Sequence, residues 1–225
     1  MTRRIAKELN SFKYKGEPVK ITLGTLLLTC FCILLLIIAT FTQVTINHPY
    51  LPLSSLNLFD PNISGEYLFE FANKSYRYIP QIPTVFFIVA LMGRKFGTLA
   101  ICAFILLGMF FPIFALGGGI SYLLEYGFGY ILAFIPAIFF TGTLLKVKTD
   151  FLRIVLMSVL GVLSIHILGI LYMLFIATLR HASMDVVSSW IIAQSGVQIF
   201  YDMFFAILAV YLGRWAKRIL WLVMC

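Results

Sequence analysis

An all-α fold, a polytopic transmembrane bundle of about six helices with both termini cytoplasmic, is what these 225 residues predict. Three observations point there. Apolar residues make up 61% of the chain and charged residues 12%, whereas a soluble domain carries about a quarter charged residues. The apolar residues gather into runs of bilayer length, roughly 20 residues of helix for about 30 Å of hydrocarbon. Basic residues then fall in short clusters between those runs.

The elements follow in order. Residues 1–20 form a basic cytoplasmic leader holding Arg3, Arg4, Lys7, Lys13, Lys15 and Lys20. The run that follows is too long for a signal-peptide h-region and lacks a small-residue cleavage site, so it is expected to stay as span one, about 21–42. A polar outer loop, 43–78, is rich in Pro, Asn and Ser and too short for a domain. Span two, about 79–92, is short for a bilayer and is opened by Pro80 and Pro83, because proline suits the first turn of a helix. Gly93-Arg94-Lys95 makes a tight basic turn into span three, about 96–111, which Pro112 closes. An irregular glycine-rich segment, 113–129, leads to span four, about 130–145. Span five covers about 152–178 and span six about 190–213, after which 214–225 is read as a cytoplasmic tail. The transmembrane domain is therefore 21–213.

Charge placement fixes the orientation and excludes a partner class. With the N-terminus inside, fourteen of the seventeen Lys and Arg residues fall on the cytoplasmic side, and only Lys74, Arg77 and Arg180 fall outside. This is the positive-inside pattern of a multi-pass protein of the cell membrane. The net charge of +8 is thus not a nucleic-acid footprint, since no basic patch is interleaved with aromatics. Cys30, Cys32, Cys102 and Cys225 lie in or beside apolar segments without metal-ligand spacing, as small apolar residues do. No metal and no cofactor is expected.

Candidate site residues lie in two places. Ionisable groups inside hydrocarbon are costly and mark functional positions; Asp202 and His166 are the clear cases. Gln194, Gln198 and Asp202 stand at i, i+4 and i+8, one face of span six, which either lines a cavity or pairs with a neighbouring helix. His166 reads as an interhelical hydrogen-bonding residue or as part of a proton-handling pair, and Gly161 and Gly169 on its span admit a close neighbour. The glycine-rich segment is the second place, because irregular backbone at membrane depth must be buried or line a cavity. It brings Phe114, Tyr122, Glu125, Tyr126 and Tyr130, apolar walls with polar tips suited to a small ligand, or else an interfacial aromatic belt. No catalytic motif is present: no His-Glu-x-x-His, Gly-x-Ser-x-Gly or Walker sequence, and no carboxylate pair within one span. An enzyme is not expected.

The run Ile82-Pro83-Thr84-Val85 through Gly93-Arg94-Lys95-Phe96-Gly97, then Leu107-Gly108-Met109-Phe110-Phe111-Pro112-Ile113-Phe114, Gly117-Gly118-Gly119 and Phe128-Gly129-Tyr130-Ile131, resembles the BioY family over about 79–213. These are the biotin-binding S components of energy-coupling factor (ECF) vitamin transporters. The resemblance implies a six-helix membrane bundle that captures biotin from the outer face. It further implies a transmembrane coupling protein and two ATPase subunits as partners, although some members are thought to act without them. Ligand contacts are implied from the loop between spans three and four and from the last span, which places Tyr122, Glu125, Tyr126, Tyr130, Gln198 and Asp202 at the site. Asp202 is expected to accept from the ureido ring of the ligand. Tyr126 stands where the family has proline, and Phe205 where it has the lysine that resembles a partner for the biotin carboxylate. Arg180, Lys74 or Arg77 then replaces that lysine, or the ligand differs. The alanine small-xxx-small motif of span one is absent. Two other readings stay open: a same-fold transporter of another vitamin or small carboxylate, and a membrane-embedded enzyme or assembly factor using His166 and Asp202.

Overall fold

A computed structural model describes residues 22–48, 74–115, 117–144 and 150–224 of the chain. It is predominantly helical. Among the described residues, four stretches are long and apolar enough to cross a membrane: Leu23–Phe41, Gln81–Phe110, Phe151–Leu179 and Met184–Leu220. A shorter apolar helix, Phe128–Thr143, accompanies them. The protein is a multi-pass integral membrane protein.

Helix α1 (Leu23–Phe41) starts at a reciprocal cap. Thr25 N–H donates to Thr22 Oγ1, and Thr22 N–H donates to Thr25 Oγ1, so two orphan donors of the first turn are satisfied. Thr29, Cys32, Leu36, Ala39 and Thr40 form its buried stripe, at helical spacing, against the next helix. The stripe can carry hydroxyls because Thr29 and Thr40 donate to the carbonyls of Thr25 and Leu36 one turn back. Leu26, Phe31, Leu34 and Ile38 are exposed on the opposite face, where lipid would cover them.

The two ends of the expected outer loop form strands, a departure from an all-helical chain. β1 (Val44–His48) pairs antiparallel with β2 (Lys74–Tyr78), Val44 opposite Tyr78 and His48 opposite Lys74. Each strand is five residues long and its partner lies far away in sequence, so local periodicity carries little trace of the pair. The middle of that loop and the leader 1–20 lie outside the described residues.

Helix α2 (Gln81–Phe110) is two arms joined at Gly93, whose φ of 75° and ψ of 178° only glycine adopts readily. The chain folds back there. A Cβ on Gly97 would lie 3.5 Å from the Cα of Val89, whereas eight residues of straight helix rise about 12 Å. The expected turn at Gly93-Arg94-Lys95 is therefore present, as is the proline-led start of the first arm. Arg94 closes the turn by donating to Thr143 Oγ1 at 3.0 Å, with its guanidinium 4.6 Å from the centre of the Phe139 ring.

Past α2, Phe114 and Gly117 exchange two backbone hydrogen bonds, and Gly119 N–H donates to Gly108 O. A 3₁₀ turn at Ile120–Leu124 follows. The span expected at 130–145 is that shorter apolar helix, interrupted for one residue at Ala133 into α3 (Phe128–Leu132) and α4 (Phe134–Leu144). Pro136 explains the break: it has no N–H for the carbonyl of Leu132 and its ring crowds that carbonyl. Helix α5 (Phe151–Leu179) passes behind them. Its Gly169 admits the Tyr130 ring, and its Gly161 admits Phe86, as the small residues predicted.

The last span is also divided. α6 (Met184–Ser195) ends at Gly196, and α7 (Gln198–Met224) begins two residues on. One expectation falls with this. Gln194 is not on the same helix as Gln198 and Asp202; residues 214–224, expected as a tail, are helical. Helix α7 packs along α2, the most extensive helix contact among the described residues, and buries Ala206, Ala209, Val210 and Gly213. Small side chains let the backbones close, and Gly213 sits against Phe87 O and Ala90.

Candidate functional site

The glycine-rich segment is ordered against the bundle by an aromatic cluster. Fully buried Phe114 lies 5.5 Å from Phe104, 4.7 Å from Tyr122 and 6.3 Å from Phe128 between ring centres. Phe128 in turn meets Tyr172 at 6.0 Å, and the Tyr172 hydroxyl donates to Leu123 O. These contacts fix backbone that would otherwise present unpaired polar groups at membrane depth.

Beside this segment lies a cavity of about 180 Å³. One wall is Tyr122, Gly127, Tyr130 and Ile131; Gln81 and Ile82 come from the start of α2, and Trp190, Gln194 and Gln198 from α6 and α7. Apolar and aromatic surface therefore surrounds a few hydrogen-bonding tips, the usual make-up of a small-molecule site. Gln81 is oriented by donating to Thr40 Oγ1 at 3.0 Å.

A buried polar group lies next to the cavity. Asp202, fully buried, accepts from the Tyr78 hydroxyl at 2.9 Å on Oδ1 and meets His166 Nε2 at 3.2 Å on Oδ2. Gln198 also bonds the carboxylate. His166 Nδ1 is 2.9 Å from Ser195 Oγ, and Ser195 Oγ is 2.7 Å from the Tyr130 hydroxyl. Every polar atom of this pair thus has a partner, which buried polar groups require.

The structure sorts the sequence-predicted residues. Tyr122, Tyr130 and Gln198 line the cavity, and Gln194 joins them from the other side of the helix break. Asp202 does not line it; its carboxylate is turned to Tyr78, His166 and Gln198. Tyr126 stands behind Trp190, their rings 5.8 Å apart, and under the Arg180 guanidinium at 5.4 Å. Glu125 pairs with Arg180 at 3.3 Å, with both side chains about two-fifths exposed, so Arg180 already has a carboxylate partner. Phe205, where the resemblance implies a lysine, packs on Tyr78 at 5.2 Å. Sequence reasoning missed Tyr78, Gln81, Trp190 and Ser195. Only Ser195 carried a signal, the adjoining Gly196 in an otherwise helical run.

A model of the BioY family matches residues 78–221. The biotin transporter BioY of Thermotoga maritima is 35% identical over 97 residues, 42% of this chain and 57% of the relative. The match thus spans little more than half of that relative's length. A crystal structure of the S-component for biotin from an ECF-type ABC transporter superposes with a TM-score of 0.59 at 20% identity, over 88% of this chain and 95% of that one. That likeness shows a shared fold. With the family match covering well over half of its length, the chain belongs to the BioY family.

Proposed function

We propose that this chain is a membrane transport protein that captures biotin from the outer face, the S component of an ECF-type transporter. The observation that carries the proposal is the cavity walled by Tyr122, Tyr130, Trp190, Gln194 and Gln198, in a member of a family whose relatives are named for biotin. Tyr130 and Gln198 are its polar contacts and Tyr122 is wall. Tyr126 and Glu125 act from behind, by holding Trp190 and Arg180. Asp202 acts through Gln198 rather than by touching the ligand. No catalytic role is assigned to any residue.

The two arms of α2 count as separate spans in this reading, giving six, with residues 1–20 and the C-terminal end cytoplasmic and 43–78 outside. A coupling protein and two ATPase subunits are the proposed partners, alongside the bilayer. A second reading, a same-fold carrier of another vitamin, draws on Phe205: a ring packed on Tyr78 offers no charge to a ligand carboxylate. Radiolabelled biotin uptake in cells that lack their own importer tests the proposal. Saturable uptake, competed by desthiobiotin and not by other vitamins, is expected. Absence of uptake and of binding by protein shown to reach the membrane would overturn it.

A further inference from the structure

Five side chains from five elements form one hydrogen-bonded line. It runs from Tyr130 on α3 through Ser195 on α6, His166 on α5 and Asp202 on α7 to Tyr78 on β2. Its first member lines the cavity, and Gln198, bonded to Asp202, lines it as well. The titratable groups facing the His166–Asp202 pair are Tyr78 from β2 and Tyr130 from α3, whose ring meets the imidazole edge-on at 5.8 Å. Tyr201 lies one ring further out, 5.9 Å from Tyr78. Glu125 and Arg180 are engaged with each other.

We propose that His166 and Ser195 are positioning residues that set whether the Tyr130 hydroxyl can offer its proton to the cavity. They do so by transmitting the protonation state of the His166–Asp202 pair. The proposal takes from the preceding section only that the cavity holds a ligand.

Hydroxyl valence makes the case. Ser195 Oγ has one proton to give and touches both His166 Nδ1 and the Tyr130 oxygen. Consider the pair with two protons, as imidazolium and carboxylate or as imidazole and carboxylic acid. In either form Nδ1 carries a proton and donates to Ser195. Ser195 can then donate to the Tyr130 oxygen, and the Tyr130 proton is available to an acceptor on the ligand. Remove one proton, and the remaining one sits on Nε2, facing the carboxylate. Nδ1 is now bare and takes the Ser195 proton. Tyr130 must then donate to Ser195, and it can only accept from the cavity.

The two groups exchange protons as a unit. The two-proton pair is electrically neutral and prevails at lower pH; the one-proton pair carries a negative charge and prevails at higher pH. A ligand presenting a carbonyl or carboxylate oxygen to Tyr130 therefore binds better at the lower pH. The role of Ser195 is distinct from that of a helix-packing serine, because it requires the proton sense to be relayed and not merely the bond to exist.

The test uses the full chain in lipid nanodiscs with His48→Gln and His181→Gln, leaving His166 as the one histidine, and with labelled histidine nitrogens and tyrosine ring carbons. Tyr130→Phe assigns the Tyr130 resonance. As pH is varied, the Tyr130 resonance should move together with the His166 nitrogens, with one midpoint. In Ser195→Ala, Tyr130 should no longer follow the His166 nitrogens. A Tyr130 resonance that does not move, or that follows equally well in Ser195→Ala, overturns the relay. Calorimetry with biotin adds a second readout: affinity should fall about tenfold across the transition, the scale of one hydrogen bond to a charged or polar ligand group. It should be independent of pH in Ser195→Ala, and a retained pH dependence there overturns the proposal. If the resonances stay coupled while biotin does not bind, the relay stands and the identity of the ligand is what fails.

Discussion

Tyr78 and Asp202, 124 residues apart, meet in the interior: the phenol donates to the carboxylate at 2.9 Å, and both side chains are buried. The contact ties the end of the two-stranded sheet to the first turns of the last helix. The Tyr78 ring is held from the other side by Phe205 at 5.2 Å and Tyr201 at 5.9 Å. One phenol therefore does two things. It supplies a donor to a costly buried carboxylate, and it packs its ring against Phe205.

Tyr78→Phe separates those roles, because it keeps the ring and removes the donor. An acceptor on a buried acidic group is left short of one partner, which costs about 1.5–3 kcal/mol. Reversible unfolding in mixed micelles should show that loss. A variant as stable as the wild type would mean that the carboxylate is satisfied without Tyr78.

Backbone strain gives a second expectation, at the turn between the arms of α2. Nothing lies within 4 Å of a Cβ added to Gly93, so Gly93→Ala is free of clashes and its cost comes from the backbone alone. At φ 75° and ψ 178° that cost is about 1–3 kcal/mol. Gly97→Ala is the control, since its Cβ would make only ordinary contacts, at 3.5 Å, with Val89. The thermal midpoint should fall for the first variant and hold for the second. Equal midpoints would contradict the reversal at Gly93.

Much of this was legible from the sequence because bilayer physics is strict. Apolar run length places α1 and α5, and Gly93-Arg94-Lys95 marks the turn. The paired expectation of Gly169 and a close neighbour is met by Tyr130. The breaks were harder. Pro136 sits inside an unbroken apolar run, and the polar stretch around Gly196 is only five residues long, so a window over apolar content joins what the backbone divides. The strand pair depends on contacts between residues far apart in the chain. At the site, the type of residue was readable and its direction was not. Asp202 stands out as an acid in an apolar span, yet whether it faces a cavity or a histidine depends on how α5 packs against α7.

Orientation is a third expectation, from the charge bias. Single cysteines at Asn62 and at Lys148, both outside the described residues, are introduced in a cysteine-free background and treated with an impermeant maleimide on intact cells. Position 62 should label and position 148 should not. The reverse pattern would place the N-terminus outside.

The central claim is that the cavity between the glycine-rich segment and the α6–α7 break holds biotin. Equilibrium binding of labelled biotin to the purified wild type and to Gln198→Ala tests it most directly. Saturable binding to one site is expected, with affinity about tenfold weaker in Gln198→Ala, the loss of one well-placed hydrogen bond. A folded wild type that binds no biotin, or a folded Gln198→Ala that binds it as tightly as the wild type, would contradict the account.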